Sequence, residues 1–298
     1  MAAGTGGQRE GEGSARGGGD SLEDRDAGRG PWRLRALPAA LAALALAVAG
    51  LGTACARGAS KGAAGRPSAP KAGGASASVP PALYSAPTTA KVVALTYDDG
   101  PGVGAVGTPA ILSLLEAHHA RATFFVLGEE VHQRPEVLRA AARAGMEIEN
   151  HGERHVHLPS LGDARLRGVI AQGADTIAKE TGRRPRFLRP PFGAQSARVR
   201  SVAHALGERV VIWSVDTRDW TNPGSAVIAR RVLAQLAPGA IVLMHDGGSD
   251  RTQTVEATRE ILPALEARGY RAVTLDTLLR LATRQPAPPA SAAPASTS

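Results

Sequence analysis

The 298-residue chain has one cysteine, three methionines and only ten aromatic side chains. A single Cys excludes a disulfide framework and a cysteine-based zinc site. Large apolar residues are scarce over the first ninety or so positions and the last fifteen, so neither end can build a core. That leaves about 190 residues, Lys91 to Thr283, enough for one domain with a sizeable interior. Lysine is scarce too, with 4 Lys against 31 Arg, a bias that together with abundant Ala reflects GC-rich coding. The net charge of +8 divides unevenly: residues 1–90 carry ten basic and six acidic side chains, and residues 91–283 carry 24 and 21. No Lys/Arg block is interleaved with aromatics, so a nucleic-acid partner has no electrostatic footprint here. No obligate protein partner is evident either. All eight histidines fall inside the central region.

The N-terminal end is organised for export. Residues 1–35 are Gly-rich and charged, without apolar periodicity, and read as disordered. Arg33 and Arg35 then precede an uncharged Ala/Leu stretch, residues 36–56, about the length that crosses a bilayer. Basic flanks belong on the cytoplasmic side, which places the rest of the chain outside. The stretch is compatible with a permanent signal anchor, a cleaved secretory signal, or a lipoprotein signal ending at Cys55. Leu51-Gly52-Thr53-Ala54-Cys55 resembles a lipobox, although Leu falls one place early and Gly52 occupies the usual aliphatic position. An Ala/Gly/Ser/Pro tether follows over 57–88, then a domain over 89–283 and a disordered tail over 284–298. The expected location is the extracytoplasmic face of the membrane, lipid-anchored or signal-anchored, with secretion as the alternative.

From Lys91 short β-type runs alternate with helical periodicity. Strands are expected at 91–97, 122–127, 146–149, 187–188, 209–215, 240–244 and 271–275. Helices are expected at 109–120, 135–144, 163–181, 197–206, 225–236 and 252–267, with a closing helix to Ala282. Seven or so β/α pairs predict parallel strands covered by helices, an α/β fold of the distorted, incomplete (β/α) barrel kind. An open doubly wound sheet shares the pattern.

Polar residues gather where these strands end. Asp98 and Asp99 close the first strand, His151 follows the third and Arg189 the fourth. Asp216 and Asp219 follow Trp213, and His245-Asp246 closes a later strand. In a parallel barrel all these positions meet at the C-terminal rim, where active sites are built. Asp98-Asp99-Gly100-Pro101 alone is equally a capped turn. His151-Gly152-Glu153-Arg154-His155, however, spaces two imidazoles four apart, and a helical turn would aim both at one point. A carboxylate with two imidazoles leaves coordination positions open, as a catalytic metal requires. His157 is expected to point elsewhere, and His118, His119 and His132 to lie at the surface.

Five motifs in order resemble the polysaccharide deacetylases with the NodB homology domain, carbohydrate esterase family 4. They are Thr96 to Pro101, His151 to His155, Arg189 to Gly193, Asp216 to Trp220 and Leu243 to Asp246. Arg121-Ala122-Thr123-Phe124-Phe125 is similar to the family's second strand, and the resemblance spans nearly all of 91–283. It implies that Asp99, His151 and His155 hold one divalent metal ion, with Asp98 as general base and His245 as general acid. Asp219 would orient His245, and Arg189 would hold Asp98. The Phe192 N–H would stabilise the oxyanion, while Trp220 and Leu243 would wall the acetyl pocket. Two positions depart from the family pattern: Gly152 stands where Ser or Thr is usual, which bears on metal affinity, and Phe192 replaces the commoner Tyr. Zn²⁺ suits the ligand set first, and Co²⁺ or Ni²⁺ fits as well.

The implied activity is metal-dependent removal of N-acetyl groups from N-acetylglucosamine in a polymeric cell-envelope glycan, peptidoglycan before others. A chitooligosaccharide deacetylase and an acetyl xylan esterase are the alternatives on the same fold. A catalytically silent glycan-binding domain is a further one, disfavoured by the intact acid and base. A hydrolase of small cyclic amides is disfavoured by the N-terminal apolar segment.

Overall fold

A computed structural model describes residues 78–286, which belong to one compact unit. The expected disordered segment 1–35, the apolar segment 36–56 with Cys55, the tether up to residue 77 and the tail from 287 lie outside the described residues. Among the described residues no helix is long and apolar enough to cross a membrane.

Strand β1 (Val92–Gly100) is the centre of the sheet. Parallel strands are covered on both faces, which is why β1 reads as an unbroken run rather than an alternation. Its side chains nonetheless divide by face. Val93, Leu95 and Tyr97 pack against the outer helices, whereas Ala94, Thr96 and Asp98 face the barrel interior. The other strands are β2 (Thr123–Val126), β3 (Glu147–Asn150), β4 (Phe187–Leu188), β5 (Arg209–Val210), β6 (Val215–Asp216), β7 (Ile241–His245) and β8 (Arg271–Ala272). All pair in parallel in the order β5-β4-β3-β2-β1-β7-β6, with β8 against the first residues of β1. Eight helices cover them: α1 (Thr108–Ala117), α2 (Gly128–Gln133), α3 (Pro135–Arg143), α4 (Asp163–Thr181), α5 (Ala197–Ala205), α6 (Ser225–Ala234), α7 (Thr252–Ala267) and α8 (Leu275–Arg284). This is the expected distorted (β/α) barrel, with the sheet curled and unclosed between β5 and β6.

Three expectations are corrected. The strand foreseen over 209–215 is two short strands, because the intervening backbone serves other partners. Ile212 N–H donates to Leu83 O and Ser214 N–H to Ile241 O, at 2.7 and 3.0 Å, so the chain leaves β4 to join β7 across the open side. The strand foreseen to Leu275 ends at Ala272, where α8 takes over. Helix α2 was not foreseen; its six residues carry too little periodicity.

The last part of the expected tether is not a tether. Leu83 N–H donates to Val210 O at 2.9 Å, Ala86 N–H to Gly239 O at 2.9 Å, and Leu83 and Ala86 are buried with Phe187, Val211 and Ile241. These residues therefore plug the gap that β5 and β6 leave. Thr88 and Pro286 form a bridge, so the folded unit also runs three residues into the expected tail. Leu83→Ala is expected to lower unfolding free energy by about 2–3 kcal/mol in urea titration, the low end of the range for a buried leucine.

Candidate active site

The register of the central strands places the chemistry. Asp98 on β1 lies opposite His245 on β7 and Phe125 on β2. His151 follows β3, Arg189 follows β4, and Asp219 lies in a short turn after β6. A cavity of about 470 Å³ opens among them, lined by Asp98, Asp99, His151, His155, Phe192, Gly193, Trp213, Asp216, Trp220, Leu243 and His245. The two sequence-selected residues outside this lining, Arg189 and Asp219, are fully buried directly behind it.

Arg189 is the largest of the fully buried side chains. Its Nη1 donates to Asp98 Oδ1 and to Thr96 Oγ1, both at 2.7 Å, and its Nη2 donates to Ile212 O at 2.9 Å. The guanidinium lies 4.1 Å from the Phe125 ring centre and 5.8 Å from that of Trp213, a favourable setting for a desolvated cation. With Oδ1 engaged, Asp98 has Oδ2 left to accept a proton from the cavity.

His151 donates Nδ1–H to Arg189 O at 2.7 Å, which fixes the tautomer and leaves Nε2 as a lone pair. That Nε2 and the Nε2 of His155 stand 3.4 and 3.5 Å from Asp99 Oδ1, a buried oxygen with no hydrogen-bond partner. Ligand atoms of Asp99, His151 and His155 all lie within 4.8 Å of one another. Converging lone pairs without protons between them are what a divalent cation satisfies. Protonation states agree. Burial would raise the Asp99 carboxyl, but His151, His245 and His155 outweigh it and bring it down to about 2. Burial and the neighbouring imidazoles hold His155 below the usual range against the pull of Asp99, so the ring is neutral.

The two histidines do not lie on a helical turn, as their spacing suggested. They lie in a loop whose Gly152 has φ +90°, with its N–H bonded to Asn150 Oδ1 at 2.8 Å and its O accepting from Gly128 at 3.0 Å. The backbone thus secures the loop at the position where the family usually has a hydroxyl. His157 is not part of the cluster, its exposed ring lying 6.5 Å from that of Phe192, and His119 and His132 are exposed. Glu153 faces His132 and Thr176, away from the cavity. The acidic side chains of β3 do not join the cluster: Glu149 accepts from the backbone N–H groups of Arg186 and Phe187, at the start of β4.

Across the cavity, His245 Nδ1–H donates to Asp219 Oδ1 at 2.8 Å, and its backbone N–H donates to Asp219 Oδ2 at 2.8 Å. Thr254 donates to Oδ2 at 2.7 Å and Thr217 to Oδ1 at 3.2 Å. Burial opposes ionisation of Asp219, but these bonds, His245 foremost, keep it ionised. Burial likewise opposes the imidazolium, yet Asp219 raises His245 above its usual value. Its Nε2 is left for the cavity. Phe192, with φ +62°, sets its exposed ring edge-on to His155 at 4.3 Å, and exposed Trp220 stands on the rim while Leu243 is buried in the wall.

Sequence reasoning missed Thr96, Trp213 and Thr254, whose partners are remote in the chain. It also missed the buried support behind His151. Asn150 donates to Glu208 at 3.0–3.1 Å, and burial, only partly offset by that bond, pushes the Glu208 carboxyl up to about 8. A proton held more tightly in the folded state contributes stability below the ordinary glutamate range. That contribution is lost as pH rises through about 8. Glu208→Gln is therefore expected to flatten the decline in melting temperature between pH 6 and 9, measured by thermal denaturation across that range.

Known proteins bear on this arrangement directly. The profile described as polysaccharide deacetylase matches residues 85–211. A peptidoglycan-N-acetylglucosamine deacetylase of Bacillus cereus is 39% identical over 199 residues, covering 66% of this chain and 92% of its own. A chitooligosaccharide deacetylase of a Bradyrhizobium species is 37% identical over 190 residues, covering 60% and 86%. The solved structure of the Bc1960 peptidoglycan N-acetylglucosamine deacetylase superposes with a TM-score of 0.64 at 33% identity, covering 66% and 92%. With fold and identity agreeing, the chain belongs to the polysaccharide deacetylase family and is a glycan-deacetylating enzyme.

Proposed function

We propose that this enzyme is a metal-dependent N-deacetylase acting on N-acetylglucosamine residues of peptidoglycan, held at the outer face of the membrane by its N-terminal segment. The observation that carries the chemistry is the pairing within one cavity of Asp98, held by Arg189, and His245, held by Asp219, on either side of the Asp99–His151–His155 cluster. A divalent ion held there, Zn²⁺ by preference and Co²⁺ or Ni²⁺ by donor type, would lower the pKa of a water and polarise the acyl oxygen.

The protein's own groups do the rest. Asp98 takes the proton of the attacking water through Oδ2 while Arg189 keeps the carboxylate in place. The Phe192 N–H, beside the cluster, stabilises the developing oxyanion. His245 gives its Nε2 proton to the departing amine, with Asp219 holding the ring and its charge. Leu243 and Trp220 enclose the acetyl methyl group. A silent binding domain needs none of this proton machinery.

The choice of peptidoglycan rests on the names of the Bacillus cereus relatives and on the expected outward tether. The Bradyrhizobium relative favours chitin oligosaccharides as the second reading. The test is acetate release by the full chain, first stripped by chelation, from peptidoglycan, chitin oligosaccharides and acetylated xylan, with and without Zn²⁺, Co²⁺ or Ni²⁺. Metal-restored release from peptidoglycan is expected to exceed the others. Release that ignores chelation would overturn the metal, and a preference for chitin oligosaccharides would overturn the substrate. Asp98→Asn is expected to lose on the order of 10²–10⁴ in turnover while still binding metal, whereas His151→Ala loses both. Asp219→Asn should move the alkaline limb of kcat/KM to lower pH, because the group that raises His245 is gone.

A further inference from the structure

Asp98, Asp99 and Gly100 end β1, where Leu127 N–H donates to Gly100 O at 3.0 Å, and the bend at Asp99 between these paired residues has to be held by something more. Asp99 sits at its crest with φ +72°, a conformation that a non-glycine residue keeps only when its surroundings impose it. The surroundings are supplied by Asp246, the residue after His245, which is 1% exposed. Its N–H donates to Asp98 O at 3.0 Å, just before the crest. Its carboxylate Oδ2 accepts the Thr108 hydroxyl proton, and Thr108 Oγ1 accepts the Gly102 N–H at 2.7 Å, just after the crest. Thr108 is itself 2% exposed, at the start of α1. One side chain and its backbone therefore clasp the five residues Asp98–Gly102 at both ends.

The fit is close enough to dictate composition. A Cβ at Gly100 would overlap the Asp246 carboxylate, one at Gly102 would overlap Asp246 O, and one at Gly247 would overlap Asp99 O. The two loops interpenetrate, and the three glycines mark the seam. The remaining carboxylate oxygen, Oδ1, has no hydrogen-bond partner, so the side chain's polar engagement is entirely with Thr108.

We propose that Asp246, acting through Thr108, is a positioning residue that fixes the Asp98–Gly102 loop and so sets how Asp99 presents its oxygen to the metal. The proposal rests on the metal-dependent reading above. It makes the end of β7 that bears His245 and the end of β1 that bears Asp98 one rigid unit, since His245 and Asp246 are consecutive.

The test is metal binding rather than turnover. Apo full-length protein is titrated with Co²⁺, followed by its visible absorption, and with Zn²⁺ in competition with a chromogenic chelator, alongside thermal melts of each apo form. Asp246→Ala and Thr108→Val are expected to weaken Zn²⁺ binding about 10–100-fold, the usual effect of removing support behind a ligand, and to change the Co²⁺ spectrum. Asp246→Asn and Thr108→Ser keep an acceptor and a hydroxyl in place and are expected to stay within about threefold of wild type. Thr108→Val keeps the question answerable if Asp246→Ala fails to fold. Wild-type affinity and spectrum in both Asp246→Ala and Thr108→Val, with only the apo melting temperature lowered, would overturn the positioning role alone. Failure of the wild-type protein to bind either ion would overturn the metal reading and this inference with it.

Discussion

A buried ion pair, Arg189 with Asp98, is the interaction on which the site depends. Desolvating a guanidinium costs several kcal/mol, and Coulomb attraction compensates only when geometry and hydrogen bonding are complete. Here they nearly are. Arg189 meets Asp98, Thr96 and the Ile212 carbonyl, and lies between Phe125 and Trp213. Each contact reaches a different part of the fold: β1, β2 and the backbone that crosses the open side of the barrel. The Arg189 carbonyl then takes the His151 Nδ1 proton. A single residue thus orients the Asp98 carboxylate and fixes the tautomer of the histidine beside it. Replacing it with Lys would not substitute, because three directed bonds need the planar fork.

That pair also explains how four carboxylates share one end of a small barrel. Asp98, Asp99, Asp219 and Asp246 all lie at this end, and burial alone would drive Asp99, Asp219 and Asp246 towards their neutral forms. Three of them have a separate answer, whereas burial pushes the Asp246 carboxyl up to about 7. Arg189 neutralises Asp98, His245 with Thr254 and Thr217 keeps Asp219 ionised, and the imidazoles bring Asp99 down to about 2. The result is an ionised Asp99 facing a neutral His155. A protonated imidazole would repel a cation, and the neutral ring of His155 does not.

The sequence makes the long helices and the chemistry legible, and hides the contacts between distant segments. Helices Asp163–Thr181 and Thr252–Ala267 match their expected bounds because four or five turns of periodicity leave no ambiguity. The run Arg209–Val215 reads as one strand, since Val210, Val211 and Ile212 are all β-formers. Its interruption comes from Leu83 and Arg189, neither near it in the chain. The docking of residues 81–88 is invisible for the converse reason: one Leu in an Ala/Pro/Ser context carries no pattern. The site residues Asp98, Asp99, His151, His155, Arg189, Asp219 and His245 declare themselves by falling at strand ends. Thr254 does not, because its partner Asp219 is 35 residues away and a threonine in the first turn of a helix is ordinary.

Gly152 and Phe192 show what a departure from a family pattern means once the backbone is known. A hydroxyl between the two histidines would steady their loop, and Gly152 lacks one. Yet at φ +90° glycine takes a conformation that costs a side-chain-bearing residue, and its N–H and C=O are both bonded within the protein. The loop is held by the main chain, with Asn150 in turn held by Glu208 and the Ile170 carbonyl. Phe192 follows the same logic. Its ring packs edge-on against His155 at 4.3 Å, which needs an aromatic edge and no hydroxyl. What the site requires of residue 192 beyond that contact is a backbone N–H at the rim, and any residue that tolerates φ +62° supplies one. Both departures leave Asp98, Asp99, His151, His155 and His245 lining one cavity, with Asp98 and His151 bonded to Arg189, His245 to Asp219, and the loop between the two histidines tied by its own backbone rather than by the residues that changed.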